Sequence, residues 1–160
     1  MQYSILKTEI GNLGILASES NLINIILPNN IKLVSRKLTS PNRYTPFMQN
    51  VVNQLEQYFS GNLREFDIRL KLELPIFYQK VLNEVRKIPY GQTVSYKNIA
   101  NNLQNPRAYR AVANANAINP IPIIIPCHRV ILSNGDLGQY GGGTSLKKNL
   151  IQKEVAIIKR

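Results

Sequence analysis

The sequence predicts an α+β protein: a small α/β unit, an antiparallel sheet plus a helix, over residues 1–74, then a mostly helical unit over 75–160. Three observations lead there. Short apolar runs separated by turn residues open the chain. The hydrophobic period changes from strand-like to helix-like after Pro75. Two helical segments then meet at a tight turn around Gln104, the pattern of a helix-turn-helix.

Residues 1–27 are apolar runs broken by Gly11-Asn12 and by Glu19-Ser20-Asn21, which reads as two or three antiparallel strands. Phe47, Val51, Val52, Leu55, Tyr58 and Phe59 recur at helical spacing, predicting an amphipathic helix over 44–60 that Gly61-Asn62 ends. Phe66, Ile68, Leu70, Leu72 and Leu74 alternate with polar residues, as in a strand with one buried face. Beyond Pro75, Val81, Leu82, Val85 and Ile88 mark a helix stopped by Pro89-Tyr90-Gly91. Ser95 caps a short helix through Leu103. Asn105 and Pro106 read as the N-cap and first residue of the next, which runs to Ala117 and is rich in alanine. Small side chains let that helix approach a surface closely, whether inside the protein or outside it. Prolines 120, 122 and 126 then forbid a helix and predict an extended course with Ile123, Ile124 and Ile125 buried. A final helix begins near Ser145.

Lysine and arginine total 20 against 9 acidic residues, a net charge of +11. Such a charge draws a chain towards polyanions, nucleic acid or an anionic membrane face, although a generically basic protein has the same balance. No stretch approaches the roughly 20 apolar residues that span a bilayer, and residues 1–10 lack the apolar segment of a signal peptide. A soluble, cytoplasmic protein is the expectation. One cysteine excludes an intrachain disulfide and a cysteine-based zinc site, so no metal and no cofactor are expected.

That cysteine, Cys127, precedes the only histidine, His128. Held behind Pro126, it is either an inert core residue or a nucleophile. Three features favour the nucleophile. His128 and Arg129 can stabilise a thiolate; bringing a thiol from about 8.5 to about 6.5 takes about 2.7 kcal/mol. In the last helix Leu146, Leu150 and Glu154 are spaced four apart, which turns Glu154 towards the core unless it is an exposed helix-end charge. A buried carboxylate needs a partner, and His128 is the economical one. Cys127, His128 and Glu154 then make a nucleophile, base and orienter.

Ile125-Pro126-Cys127-His128-Arg129-Val130 resembles the active-site signature of the O6-alkylguanine-DNA alkyltransferases, the methylated-DNA–protein-cysteine methyltransferases. Arg110-Ala111-Val112, Asn119-Pro120, Gly138-Gln139-Tyr140 and Glu154 match the same family in order and spacing. Residues 76–155 follow it closely and the N-terminal part loosely. The resemblance implies a ribonuclease H-like N-terminal domain and a C-terminal domain with a helix-turn-helix of the winged kind. It implies direct reversal of damage, with the alkyl group of O6-alkylguanine, and of O4-alkylthymine, moving irreversibly to Cys127 after the base is flipped out.

On that resemblance His128 activates Cys127 through a water, Glu154 orients His128, and Asn119 braces the turn around them. Tyr96 hydrogen-bonds the guanine ring and presses on the neighbouring phosphate. Pro122 and Tyr140 wall the base pocket, Cys127 and Val130 offer carbonyls, and Gly141 offers a backbone N–H. Arg110 fills the gap left by the flipped nucleotide, while Lys97, Asn105 and Ser133 contact the DNA backbone. The alanine-rich helix, with Ala111 and Ala113, lies in the minor groove of double-stranded DNA. A monomer is implied. Gly141 stands where other members carry a larger side chain, which predicts a pocket open to bulkier alkyl groups.

Three other readings compete. A lesion-binding protein without catalysis lacks the cysteine that this chain keeps. A Cys-His hydrolase needs direct proton transfer, whereas adjacent side chains in an extended segment diverge and suit a water-mediated contact. A helix-turn-helix transcription factor leaves a buried Glu154 unexplained.

Overall fold

The computed structural model describes residues 1–33 and 38–160. The chain forms two compact units, 1–72 and 73–160, which meet two residues before the boundary expected from the sequence.

In the first unit β1 (Gln2–Thr8), β2 (Gly11–Ala17) and β3 (Leu22–Ile26) form an antiparallel sheet in that order. Thr8 makes the first turn, its Oγ1 donating to the Gly11 carbonyl at 2.7 Å. The Ser18 hydroxyl makes the second, accepting from Asn21 N at 3.1 Å. As the central strand, β2 buries Leu13, Ile15, Leu16 and Ala17, whereas a half-exposed strand would bury alternate residues. Helix α1 (Pro46–Phe59) is capped by Thr45, whose hydroxyl accepts from Met48 N, and Pro46 supplies the fixed φ of the first turn. It buries Met48, Val51, Val52, Leu55 and Tyr58.

The strand expected over Phe66–Leu74 is corrected by the structure. This segment carries one isolated parallel bridge, Leu70 to Leu22, closed by Leu22 N to Arg69 O and Lys71 N to Leu22 O, both at 2.9 Å. Its alternation is nevertheless real. Ile68 is buried and Leu70, Leu72 and Leu74 are half-buried, while Asp67, Arg69, Lys71 and Glu73 are exposed. Period-two patterning reports which face of an extended chain is covered, and does not by itself report a hydrogen-bonded ladder.

The second unit holds α2 (Ile76–Arg86), β4 (Val94–Ser95), α3 (Tyr96–Asn102), α4 (Tyr109–Ala117), β5 (Val130–Ile131) and α5 (Thr144–Ile158). Helices α2 and α3 both pack on α4. Ser95 caps α3, accepting from Asn98 N at 3.1 Å. The turn between α3 and α4 uses Gln104 at φ 57°, a left-handed residue that stops one helix and re-aims the chain. Asn105 does stand before Pro106, but its side chain makes no cap, and Pro106–Ala108 is a 3-10 turn leading into α4. Strands β4 and β5 pair in parallel, Val94 with Val130 and Ser95 with Ile131.

The extended course expected between Asn119 and Cys127 is likewise corrected. Isoleucines 123, 124 and 125 are buried as anticipated, and Ile121 with them, but the chain folds into a turn closed by Ile125 N to Ile121 O at 3.0 Å. Ile123 has φ 75°. For a β-branched residue this is a strained conformation, costing about 1–3 kcal/mol and held only because its surroundings dictate it. Cys127–Arg129 then form a 3-10 turn instead of a strand end.

A candidate active site around Cys127

The strained isoleucine turn delivers Cys127 to a fixed place. Asn119 holds the turn from inside, donating from Nδ2 to the Ile125 carbonyl and accepting at Oδ1 from Ile121 N, each at 2.9 Å. Because Cys127, His128 and Arg129 occupy one 3-10 turn, their side chains leave in different directions, yet all three are buried.

Glu154 anchors this group. It lies on α5 at 1% exposure, and its carboxylate accepts from His128 Nε2 at 2.8 Å. Arg129 clamps it with Nε and Nη2, both at 2.9 Å, and Gly91 N adds a fourth contact at 3.3 Å. Burial alone would raise the Glu154 carboxyl, but the hydrogen bonds and positive charge of His128 and Arg129 outweigh it and hold the group at about 2. The remaining Arg129 donor, Nη1, reaches the Ile88 carbonyl at 2.7 Å, and the guanidinium sits 5.5 Å from the Tyr90 ring. Arg129 is therefore not beside the sulfur, which corrects the expectation that it stabilises a thiolate.

Burial lowers the pKa of His128, chiefly opposed by Glu154, so the imidazole is neutral at neutral pH. With Nε2 committed to Glu154, Nδ1 is buried without a partner and is free to accept a proton. Burial also raises Cys127, against the lowering effects of Asn119, Lys147 and the backbone N–H groups of Cys127 and His128. The resting sulfur is thus a protonated thiol, without the lowered pKa that the sequence allowed for. Its proton has to be taken during the reaction.

Lys147 is the group that the sequence reading missed. It is fully buried on α5, and its ammonium donates to the carbonyls of Val130 at 2.6 Å, Leu137, and Gln139 at 3.4 Å. Burial brings its pKa down to about 8 against the pull of Cys127. The signal was available. Lys147, Leu150, Glu154 and Ile157 follow a helical stripe of spacing three, four and three, and all four are buried. The stripe chosen from sequence used Leu146, which is only half-buried. Asn116 is a second omission, a buried amide on α4 that donates to the Cys127 carbonyl at 3.2 Å.

The other expected residues are distributed as follows. Tyr96, the first residue of α3, is half-buried; burial raises its pKa, opposed by Asn116, and its ring lies 5.9 Å from Lys147 Nζ. Tyr140 is pushed well up, first by burial and then by the charge and side chain of the nearby Cys127. Pro122 is buried and bridged to Ile125, and Val130 is buried with its carbonyl held by Lys147. Gly141 is exposed, with nothing within 4 Å of where a Cβ would stand. Arg110, Lys97, Asn105 and Ser133 are exposed, and Ala111 and Ala113 half-exposed; none of them hydrogen-bonds to the buried group among the described residues. The guanidinium of Arg110 lies 6.0 Å from the ring of the exposed Tyr109. No group of three or more His, Cys, Asp or Glu side chains suited to a metal exists among the described residues, nor is any helix there long and apolar enough to cross a membrane.

Comparison with known proteins identifies the family. Residues 76–156 match the 6-O-methylguanine DNA methyltransferase DNA binding domain, and residues 1–72 match the ribonuclease-like domain of the same family. A methylated-DNA–protein-cysteine methyltransferase of Methanosarcina mazei is 41% identical over 157 residues, 96% of this chain and 97% of the relative. The enzyme of that name from Mycobacterium tuberculosis is 40% identical over 96% of this chain and 92% of its own length. The crystal structure of Mycobacterium tuberculosis OGT in complex with DNA superposes with a TM-score of 0.84 at 39% identity, covering 98% of this chain and 94% of that one. Pyrococcus kodakaraensis O6-methylguanine-DNA methyltransferase, at 22% identity and a TM-score of 0.66, shares the fold. With both of its domains represented and its cysteine set against a buried histidine and glutamate, the chain belongs to the 6-O-methylguanine DNA methyltransferase family.

Proposed function

We propose that this chain is a methylated-DNA–protein-cysteine S-methyltransferase that repairs DNA by direct reversal, moving the alkyl group of O6-alkylguanine to Cys127 once and irreversibly. The observation that carries this reading is the position of the only cysteine, next to a neutral histidine whose Nε2 is fixed on Glu154 at 2.8 Å and whose Nδ1 has no partner. Nδ1 takes the thiol proton through a water, and Glu154 meets the charge that then develops on His128. The thiolate so formed attacks the alkyl carbon, with guanine as leaving group, and Tyr96 donates a hydrogen bond to the ring as it departs. The product is a thioether. It is a poor leaving group, and no second cysteine exists to displace it.

A base inside a duplex cannot reach a buried thiol, so it is extruded at a cost of a few kcal/mol. Arg110, exposed at the start of α4, fills the gap, while the half-exposed Ala111 and Ala113 bring that helix against the minor groove. Lys97, Asn105 and Ser133 contact phosphates, and the net charge of +11 supplies affinity that does not depend on sequence. Pro122, Tyr140, Gly141 and the Cys127 and Val130 carbonyls surround the base; O4-alkylthymine is accepted at the same site. The protein acts as a monomer in the cytoplasm. The test is to incubate it with duplex containing O6-methylguanine and analyse the DNA. Guanine restored in an unbroken strand is expected; an abasic site, a nick or an unchanged lesion would overturn the reading.

A further inference from the structure

Asn116 is 6% exposed on a helix whose other buried positions are Val112 and Ala115. Packing does not call for an amide there, and burying one is costly unless its atoms are used. Its Nδ2 donates to the Cys127 carbonyl at 3.2 Å. The same side chain acts on the Tyr96 phenol, opposing the rise that burial imposes on it. Its Oδ1 is buried without a partner, a costly state for an amide oxygen. One side chain on the helix that also bears Arg110 therefore holds the turn of Cys127 and influences the phenol of Tyr96.

We propose that Asn116 is a positioning residue for alkyl transfer, setting the Tyr96 hydroxyl against the departing guanine and orienting the Cys127 carbonyl beside it. This rests on the reading of Cys127 as acceptor and Tyr96 as donor. As the sulfur–carbon bond forms, the O6–carbon bond breaks and its electron pair passes to guanine. The thiol proton leaves to His128 through water, and guanine regains a proton from solvent. The charge gathered on guanine is greatest midway, and there a correctly placed Tyr96 O–H acts. A displacement of about 1 Å costs on the order of 100-fold in such a step.

The experiment is a double-mutant cycle of Asn116→Leu and Tyr96→Phe, read by the single-turnover rate on methylated duplex and by lesion affinity. Asn116→Leu is expected to slow transfer about 10- to 100-fold with affinity nearly unchanged, and to add little once Tyr96 is Phe. Asn116→Asp keeps the shape but cannot donate to the Cys127 carbonyl. It is expected to be slow as well, and it decides the matter should the leucine variant fail to fold. A rate within about 2-fold of the unaltered chain for a folded variant would overturn the inference, as would losses that simply multiply in the double variant. Weakened affinity with an intact rate would also overturn it. Failure of the unaltered chain to take up methyl would instead sink the underlying reading.

Discussion

Replacing Glu154 with glutamine removes one negative charge from the centre of the second unit and leaves its shape almost unchanged. The carboxylate accepts from His128 Nε2, from two Arg129 nitrogens and from Gly91 N, at 1% exposure. Glutamine can accept at one oxygen only, and it turns an N–H₂ towards donors. The Arg129 guanidinium, itself buried, is then left without its counter-charge, and breaking a buried pair in this way costs about 3–5 kcal/mol. Titration gives a similar magnitude. A carboxyl held at about 2 instead of its ordinary 4.5 contributes about 3 kcal/mol at neutral pH. Because the folded pKa is depressed, this contribution is complete above 4.5 and is lost as pH falls towards 2. Burial lowers His128 as well, so acid begins to weaken the fold from 6.5 downward; the two proteins are best compared at pH 7, above the range in which that histidine contributes. Urea unfolding of Glu154→Gln at pH 7 should show the full loss, and the two stabilities should converge as pH approaches 2. A difference under about 1 kcal/mol at pH 7, or one that does not shrink in acid, would refute the buried carboxylate as the organiser of this site.

Lys147→Met removes the ammonium that lowers the thiol pKa, so the midpoint of the pH profile for Cys127 alkylation by iodoacetamide should move to higher pH. An unmoved midpoint would place Lys147 outside the field of the sulfur. Gly91→Ala places a side chain at a φ of +78° and nudges the exposed end of Ile158, and is expected to cost about 1–2 kcal/mol in urea unfolding, chiefly from the left-handed backbone; a neutral result would mean that this turn does not hold the left-handed conformation. The open space over Gly141 predicts that O6-benzylguanine in duplex reacts at least as fast as O6-methylguanine, and a strong preference for methyl in competition would contradict it.

Helices α1 and α2 were legible from their apolar period, and α3 also from Ser95, a cap that the structure contains. What sequence patterning misread lies where chain direction and covered surface part company. Residues 66–74 alternate as a strand does, yet among the described residues they carry one isolated bridge, Leu70 to Leu22, so their burial comes from the surface they lie on. The prolines around Ile123 correctly excluded a helix, but could not distinguish an extended segment from a turn containing a left-handed isoleucine. His128 was paired with Glu154 by elimination, since a buried acid needs a partner and the chain has one histidine. Arg129 was misplaced for a related reason: adjacency in sequence was taken as adjacency to the sulfur, whereas the 3-10 turn sends its guanidinium to Glu154 and Ile88. Lys147 escaped because a lysine on an apolar stripe is normally solvated at its tip. Here three backbone carbonyls replace the water.

The most direct measurement is a titration of the protein with duplex carrying a radiolabelled O6-methyl group, followed by peptide mapping. Uptake should rise to one methyl per protein molecule and stop, with all the label on the peptide that contains Cys127 and none taken up by Cys127→Ser. Uptake continuing past one equivalent, label on another residue, or transfer undiminished in the serine variant would contradict the account.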